Sequence, residues 1–239
     1  MLIRSFIRRL GSCLLCVVLV VPGLVAADDG LQSDPMESFN RFVFTFNDGA
    51  DRWVLKPVAR GYRAIAPDPV ERGVGRMFGN LGEVLNVVND VMQGKLGQAA
   101  NDSGRFVVNS TVGLAGWFDV AKHWGMAKSD GEDFGQTFAV WGVGQGAYVV
   151  LPFFGPSTFR DAPGKVLDSF LSPIGLIDHV PTRNQIYGAG LVFDRAELLE
   201  TEKLISGDRY SFVRDVYLQR REYLILDGQV EDDFGDDDY

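Results

Sequence analysis

The sequence predicts a mainly α-helical domain, made of amphipathic helices and one irregular, uncharged segment. Three observations carry this. Apolar residues recur at three- and four-residue steps through most of the chain, the helical period, while the two-residue alternation of strands is scarce. Proline and glycine clusters punctuate these stretches where helices have to stop. Between Asp133 and Arg160 lies FGQTFAVWGVGQGAYVVLPFFGPSTF, a run with no charged residue, five glycines and two prolines. A membrane-crossing helix needs about 20 apolar residues with every peptide group bonded, and these breakers forbid it. A soluble loop would not carry Phe138, Val140, Trp141, Tyr148, Val149, Val150, Phe153 and Phe154. What is left is bendable backbone, shielded by protein on some sides and facing something greasy on another.

In chain order, residues 1–27 read as an export signal. Arg4, Arg8 and Arg9 give a positive region and Leu14 to Val21 an apolar one, and Val25-Ala26-Ala27 offers a cleavage site. Both cysteines, Cys13 and Cys16, fall inside it, so the mature chain has no thiol chemistry. Leu10-Gly11-Ser12-Cys13 resembles a lipidation box, but it precedes the apolar region instead of closing it, which argues against lipidation at Cys13. Residues 28–228 then form one domain, and residues 229–239 an acidic tail holding Glu231, Asp232, Asp233, Asp236, Asp237 and Asp238. The formal charge is −9, and −12 without the three signal arginines. No basic cluster suits nucleic acid.

Ser33-Asp34-Pro35 is a helix-opening sequence. Phe39, Phe42, Val43, Phe46, Ala50 and Trp53 follow at helical spacing, and Lys56-Pro57 marks an end. After Ala66-Pro67-Asp68-Pro69, a second helix carries Val74, Met77, Phe78, Leu81, Leu85, Val88 and Met92, with Asn80, Asn86 and Asn89 placed to bridge backbone groups. Gln98 to Val112 is a third, with small residues for close approach, broken by Gly113-Leu114-Ala115-Gly116. Beyond the uncharged run, Val166 to Leu171 and Ile174 to Val180 read as short helices. Ala196 to Ile205 and Asp208 to Leu226 complete the set.

Catalytic and cofactor patterns are weak. Gly142-Val143-Gly144-Gln145-Gly146-Ala147 fits a degenerate dinucleotide fingerprint, but Tyr148-Val149-Val150-Leu151-Pro152 follows where a helix is required. Ser157, Asp168 and His179 occur in the chain order of an α/β-hydrolase triad, yet Gly155-Pro156-Ser157-Thr158-Phe159 lacks the second elbow glycine and no alternating β/α pattern supports it. No metal-ligand spacing is present, and no cofactor is expected.

Four strings bear on identity: DPMESFNR (Asp34 to Arg41), RFVVNSTVGLAGWFDVA (Arg105 to Ala121), the Asp133 to Asp161 segment, and YSFVRDVYLQRREYLILDG (Tyr210 to Gly228). Together, in this order, they resemble the MlaA (VacJ) family, which maintains lipid asymmetry in the outer membrane of Gram-negative bacteria. The resemblance implies a ring-like arrangement of amphipathic helices around an amphipathic channel, lodged at the periplasmic face of the outer membrane. It implies phospholipid as cargo, trimeric porins and a soluble periplasmic lipid carrier of the MlaC type as partners, and no enzymatic activity. An exported hydrolase using Ser157 and a porin-associated scaffold are the alternatives.

On this reading the uncharged run is a glycine-rich hairpin beside the lipid path. Phe138, Trp141, Gln145, Tyr148, Phe153 and Phe154 are its channel candidates, and Gly142, Gly144 and Gly146 its hinges. Phe39 and Asn40 match a Phe-Asn pair for which the resemblance suggests channel control; from the residues alone they could equally be a packed aromatic and a bridging amide. Two departures stand out. No cysteine closes the signal, so attachment rests on apolar faces with Phe42, Phe46, Trp53, Phe78 and Met92. Gly82-Glu83-Val84 stands where the family often has Glu-Pro.

Overall fold

A computed structural model describes residues 34–229. The expected signal segment, with Cys13, and the acidic tail past Gln229 lie outside the described residues.

The chain starts with a turn in which Asp34 Oδ1 accepts the Met36 N–H at 3.0 Å, and α1 (Glu37–Ala50) follows. The helix does not end near Lys56-Pro57 as expected. It widens into a π turn (Asp51–Leu55), whose Lys56 N–H reaches Asp51 O, and continues as α2 (Lys56–Ile65). A proline ring strikes the carbonyl four residues back in a regular helix, and the widened turn gives Pro57 the room it needs.

Helix α3 (Asp68–Gln93) takes Pro69 in its first turn and stops at Gly94, whose φ of 80° closes a left-handed cap. Helix α4 (Leu96–Thr111) returns along it. The expected break follows, with Leu114, Ala115 and Gly116 in succession at positive φ. A one-turn α5 (Val120–His123) is capped by Asp119.

The uncharged run resolves into three pieces. Helix α6 (Phe134–Val140) is capped by Asp133. A loop carries Gly142, Gly144 and Gly146, and an antiparallel hairpin then pairs β1 (Tyr148–Leu151) with β2 (Gly155–Thr158), Tyr148 opposite Thr158 and Leu151 opposite Gly155. The expectation of an irregular hairpin is therefore corrected: the pairing is regular, and the glycine triplet precedes it. The physical reason lies on α1. Asn40 and Asn47, two helical turns apart, bond the backbone of β1 and the turn after it, so the strand is completed by side chains from a helix.

Helix α7 (Asp161–Leu171) ends where expected but begins five residues before Val166, with Pro163 in its first turn, where no helical N–H partner is needed. The short helix expected over Ile174–Val180 is absent up to His179; two short turns stand in its place, Leu176 N–H to Pro173 O and Ile177 N–H to Ile174 O. Helix α8 (Val180–Thr201) begins well before the expected Ala196. Its apolar residues spread around the axis, Leu191 and Leu198 exposed and Phe193 and Leu199 buried, so no single stripe announced it. A 3₁₀ turn (Glu202–Leu204) and α9 (Arg209–Ile225) end the fold.

The core is split into three clusters. Val43, Tyr148, Val150, Tyr210 and Leu218 join α1, β1 and α9. Ala59, Ala196 and Leu199 join α2 and α8. Phe134, Phe138 and Leu171 join α6 and α7, with Leu85 and Val88 of α3 against them. Each large apolar side chain buried this way contributes about 1.5–3 kcal/mol.

Much apolar surface stays outside. Phe39, Phe42 and Phe46 are exposed on α1 and Trp53 on the π turn after it, and Phe153 and Phe154 crown the hairpin, Phe153 meeting Phe46 edge-on at 5.2 Å. Phe78 and Met92, expected with the outer faces, are half-buried, and Phe78 stacks on Phe193. Among the described residues no helix is long and apolar enough to cross a membrane.

Candidate functional site

A cavity of about 680 Å³ lies between α3, α4 and α8. Helix α3 gives it one face, Arg72, Arg76, Asn80 and Glu83 at steps of three and four residues. Its floor is a buried ion cluster. Arg105 Nε donates to Glu83 Oε1 at 3.1 Å, Nη1 to Met126 O at 2.8 Å and Nη2 to Asp119 Oδ1 at 3.2 Å. Asn109 locks the same corner, donating to Asp119 at 3.1 Å and accepting the Ala121 N–H at 2.9 Å. Burial raises the Glu83 carboxyl despite its arginine. Burial would raise Asp119 as well, but hydrogen bonds from Asn109 and the Lys122 N–H, with the Arg105 charge, hold it below its ordinary value.

The opposite character sits beside this floor. Phe78 and Phe193 stack with ring centres 6.3 Å apart, and a Cβ on Gly75 would lie 2.4 Å from the Phe193 ring, so only glycine lets the aromatic wall close onto α3. Around the cavity stand Arg72, Arg76 and Lys128, none with a carboxylate within ion-pair distance among the described residues. Glu71, Asp194 and Glu197 line it too. The space is thus amphipathic, apolar on one wall and charged on the others.

A second buried cluster anchors the uncharged run. Arg221 on α9 binds Asp133, the cap of α6, and meets Asp161 at the start of α7 at 3.2 Å, while Tyr217 Oη donates to Asp161 Oδ2 at 2.8 Å and Arg160 Nε to Asp161 Oδ1 at 2.9 Å. Burial alone would raise Asp161, but Arg221 and Arg160 hold it low. A Cβ on Gly135 would fall 2.5 Å from Arg221 Nη2.

The MlaA lipoprotein family profile matches residues 32–224, nearly the whole described chain. The chain belongs to the MlaA family. It is 34% identical over 208 residues to the intermembrane phospholipid transport system lipoprotein MlaA of Escherichia coli K12, covering 84% of this chain and 81% of that protein. Its identity to the MlaA lipoprotein of Haemophilus influenzae is 31% over 204 residues, 83% and 82% of the two chains. A solved structure from work on the structural basis for maintenance of bacterial outer membrane lipid asymmetry superposes with a TM-score of 0.69 at 32% identity, covering 81% of this chain and all of the other.

Within this MlaA fold the residues expected from sequence are dispersed. Phe138 and Tyr148 are core residues of two different clusters. Trp141 is half exposed and donates from Nε1 to Met92 O at 3.1 Å. Gln145 is exposed, while Phe153 and Phe154 project from the hairpin tip. None of the six lines the cavity. Gly142 and Gly146 have φ of 84° and 67°, and Gly144 stays outside the left-handed region. Phe39 is exposed instead of packed. Asn40 is fully buried and bridges: Nδ2 donates to Tyr148 O at 3.0 Å and Asp34 Oδ1 at 3.0 Å, and Oδ1 accepts the Val150 N–H at 2.9 Å.

The hydrolase constellation does not assemble. Ser157 is fully buried on β2, Asp168 accepts the Phe134 N–H at 3.1 Å, and His179 sits exposed at the start of α8 with Nδ1 on Thr182 Oγ1 at 2.7 Å. The glycine-rich hexapeptide leads into β1 and not a helix. Among the described residues no group of three or more His, Cys, Asp or Glu could hold a metal. The cavity charges escaped sequence reading because Arg72, Arg76, Asn80 and Glu83 look like an ordinary solvated face. The available signal was their helical register with the three asparagines.

Proposed function

We propose that this chain is a non-enzymatic phospholipid conduit at the periplasmic face of the outer membrane. It removes mislocalised phospholipid from the outer leaflet and passes it to a soluble periplasmic carrier. The observation that carries the proposal is the amphipathic cavity between α3, α4 and α8, since a lipid with greasy tails and a charged head requires both kinds of wall. The reading includes a ring-like arrangement of the helices around this space, which a core split into three clusters supports. Exposed Phe39, Phe42, Phe46, Trp53, Phe153 and Phe154 seat the molecule in lipid from outside. The names of the relatives support phospholipid as cargo.

Residues 28–228 act as one domain behind a cleaved signal, with Cys13 unmodified, so seating depends on that apolar belt and on trimeric porins as partners. The hairpin and its glycine loop flank the path; Trp141, Gln145, Phe153 and Phe154 touch lipid at its margin, Phe138 and Tyr148 back the wall, and Asn40 controls the path by holding β1 in place. The test is lipid mass spectrometry on the protein purified from membranes, paired with surface-lipid labelling of a deletion strain. Copurified phospholipid and altered surface lipid are expected. A protein free of phospholipid, with unchanged surface lipid in the deletion strain, would refute the reading.

A further inference from the structure

The charges around the cavity are more specific than lipid transport alone requires. Three cations, Arg72, Arg76 and Lys128, line it without ion pairs among the described residues, where the one side-chain bond of Arg76 runs to Trp117 O at 3.4 Å. Of the five carboxylates that line it, Glu83 and Asp119 are held by Arg105, whereas Glu71, Asp194 and Glu197 are not. Glu71 meets only Arg63, at 4.0 Å, and Asp194 and Glu197 have no ion pair among the described residues. These acids lie close enough to feel each other: burial, then the charges of Asp194 and Glu71, raise Glu197, and Lys128 only partly offsets this. Burial alone raises Asp194. Like charges gathered on one rim repel one another unless a cation joins them. Among the described residues Arg72, Arg76 and Lys128 likewise have no ion pair, Lys128 acting on Glu197 only at longer range.

We infer that this cavity selects phospholipids with a zwitterionic, ammonium-bearing headgroup of the phosphoethanolamine type, with Arg72, Arg76 and Lys128 taking the phosphate and Glu71, Asp194 and Glu197 taking the ammonium. The stacked Phe78 and Phe193 lie against the acyl chains. The inference rests on the conduit reading above and adds to it the class of lipid carried. A phosphatidylglycerol headgroup offers the same phosphate but only hydroxyls to the acids, so it leaves three carboxylates without a counter-charge. Selectivity therefore lives in the acids, and general affinity in the bases.

The experiment incubates the full chain, purified from membranes and stripped of lipid, with vesicles of equal phosphatidylethanolamine and phosphatidylglycerol, and reads the bound lipids by native mass spectrometry. The wild type is expected to carry the ethanolamine lipid in roughly tenfold excess, the discrimination of about one well-placed ion pair. Asp194→Asn with Glu197→Gln should bring the ratio to near parity by lowering the bound ethanolamine lipid while the glycerol lipid is unchanged. Arg72→Gln with Arg76→Gln should lower both lipids alike. All four positions are exposed, and circular dichroism with thermal melting checks the fold of each variant. A wild-type ratio equal to that of the vesicles, or one unmoved by the acid substitutions, overturns the headgroup inference and leaves the conduit standing. No bound lipid of either kind overturns both. Displacement by soluble glycerophosphoethanolamine at matched concentration would instead assign the site to a free phosphate ester.

Discussion

Asp90 sits on α3 with no exposed surface and neither carboxylate oxygen hydrogen-bonded. Burial, then the charges of Asp102 and Glu132, push it up to about 7 from 3.8. The sign follows directly: between those pH values the folded chain holds a proton that the unfolded chain has released, so stability falls as pH rises and the cost is complete above pH 7. Asp90→Asn removes the ionisation. Its melting temperature should exceed that of the wild type clearly at pH 8 and only slightly at pH 4.5; equal gains at both would contradict this. Gly135 makes the reverse case, since its missing Cβ is what admits Arg221 to Asp133 and Asp161. Gly135→Ala should cost at least ~1–3 kcal/mol in urea unfolding. Its place in the uncharged run was plain from sequence, but its reason was not, because Arg221 comes from 86 positions downstream (135 to 221).

At the scale of elements, local chemistry was the better guide. Proline and glycine punctuation placed the ends of α3, α4 and α9 and the last residue of α7, whereas helix α6 within the uncharged run was not foreseen. Tertiary partners decided the rest. Hairpin regularity depends on Asn40 and Asn47 of α1, about 100 residues away by the registers of their bonds, and α8 keeps its helix through packing on α2 despite Gly188 and Gly190. The glycine loop can now be divided. Gly142 has φ of 84°, where a β-branched residue is strained, whereas Gly144 has ordinary φ and nothing within 4 Å of a Cβ. Gly142→Val should therefore lower thermal stability and lipid transfer, and Gly144→Val should affect both little. Equal loss in both variants would mean that the loop needs motion at each glycine, beyond the backbone angle that Gly142 holds.

Across the whole molecule, the family strings placed the fold and the class of function correctly, because long sequence strings preserve an architecture. They set the uncharged run beside a lipid path, and the amphipathic space between α3, α4 and α8 is lined by none of the residues of that run. Helical charges facing a cavity have the same spacing as charges facing water, so only the packing of three distant helices could tell them apart. One pair of substitutions separates these locations. Gly79 lines the cavity and has nothing within 4 Å of a Cβ; Gly82, on the same helix, is equally open but does not line it. The decisive measurement is phospholipid bound to Gly79→Trp and Gly82→Trp purified from membranes, with melting temperatures confirming that both fold. Gly79→Trp should lose its lipid and Gly82→Trp keep it, whereas full lipid on a folded Gly79→Trp would show that the path does not run through this cavity.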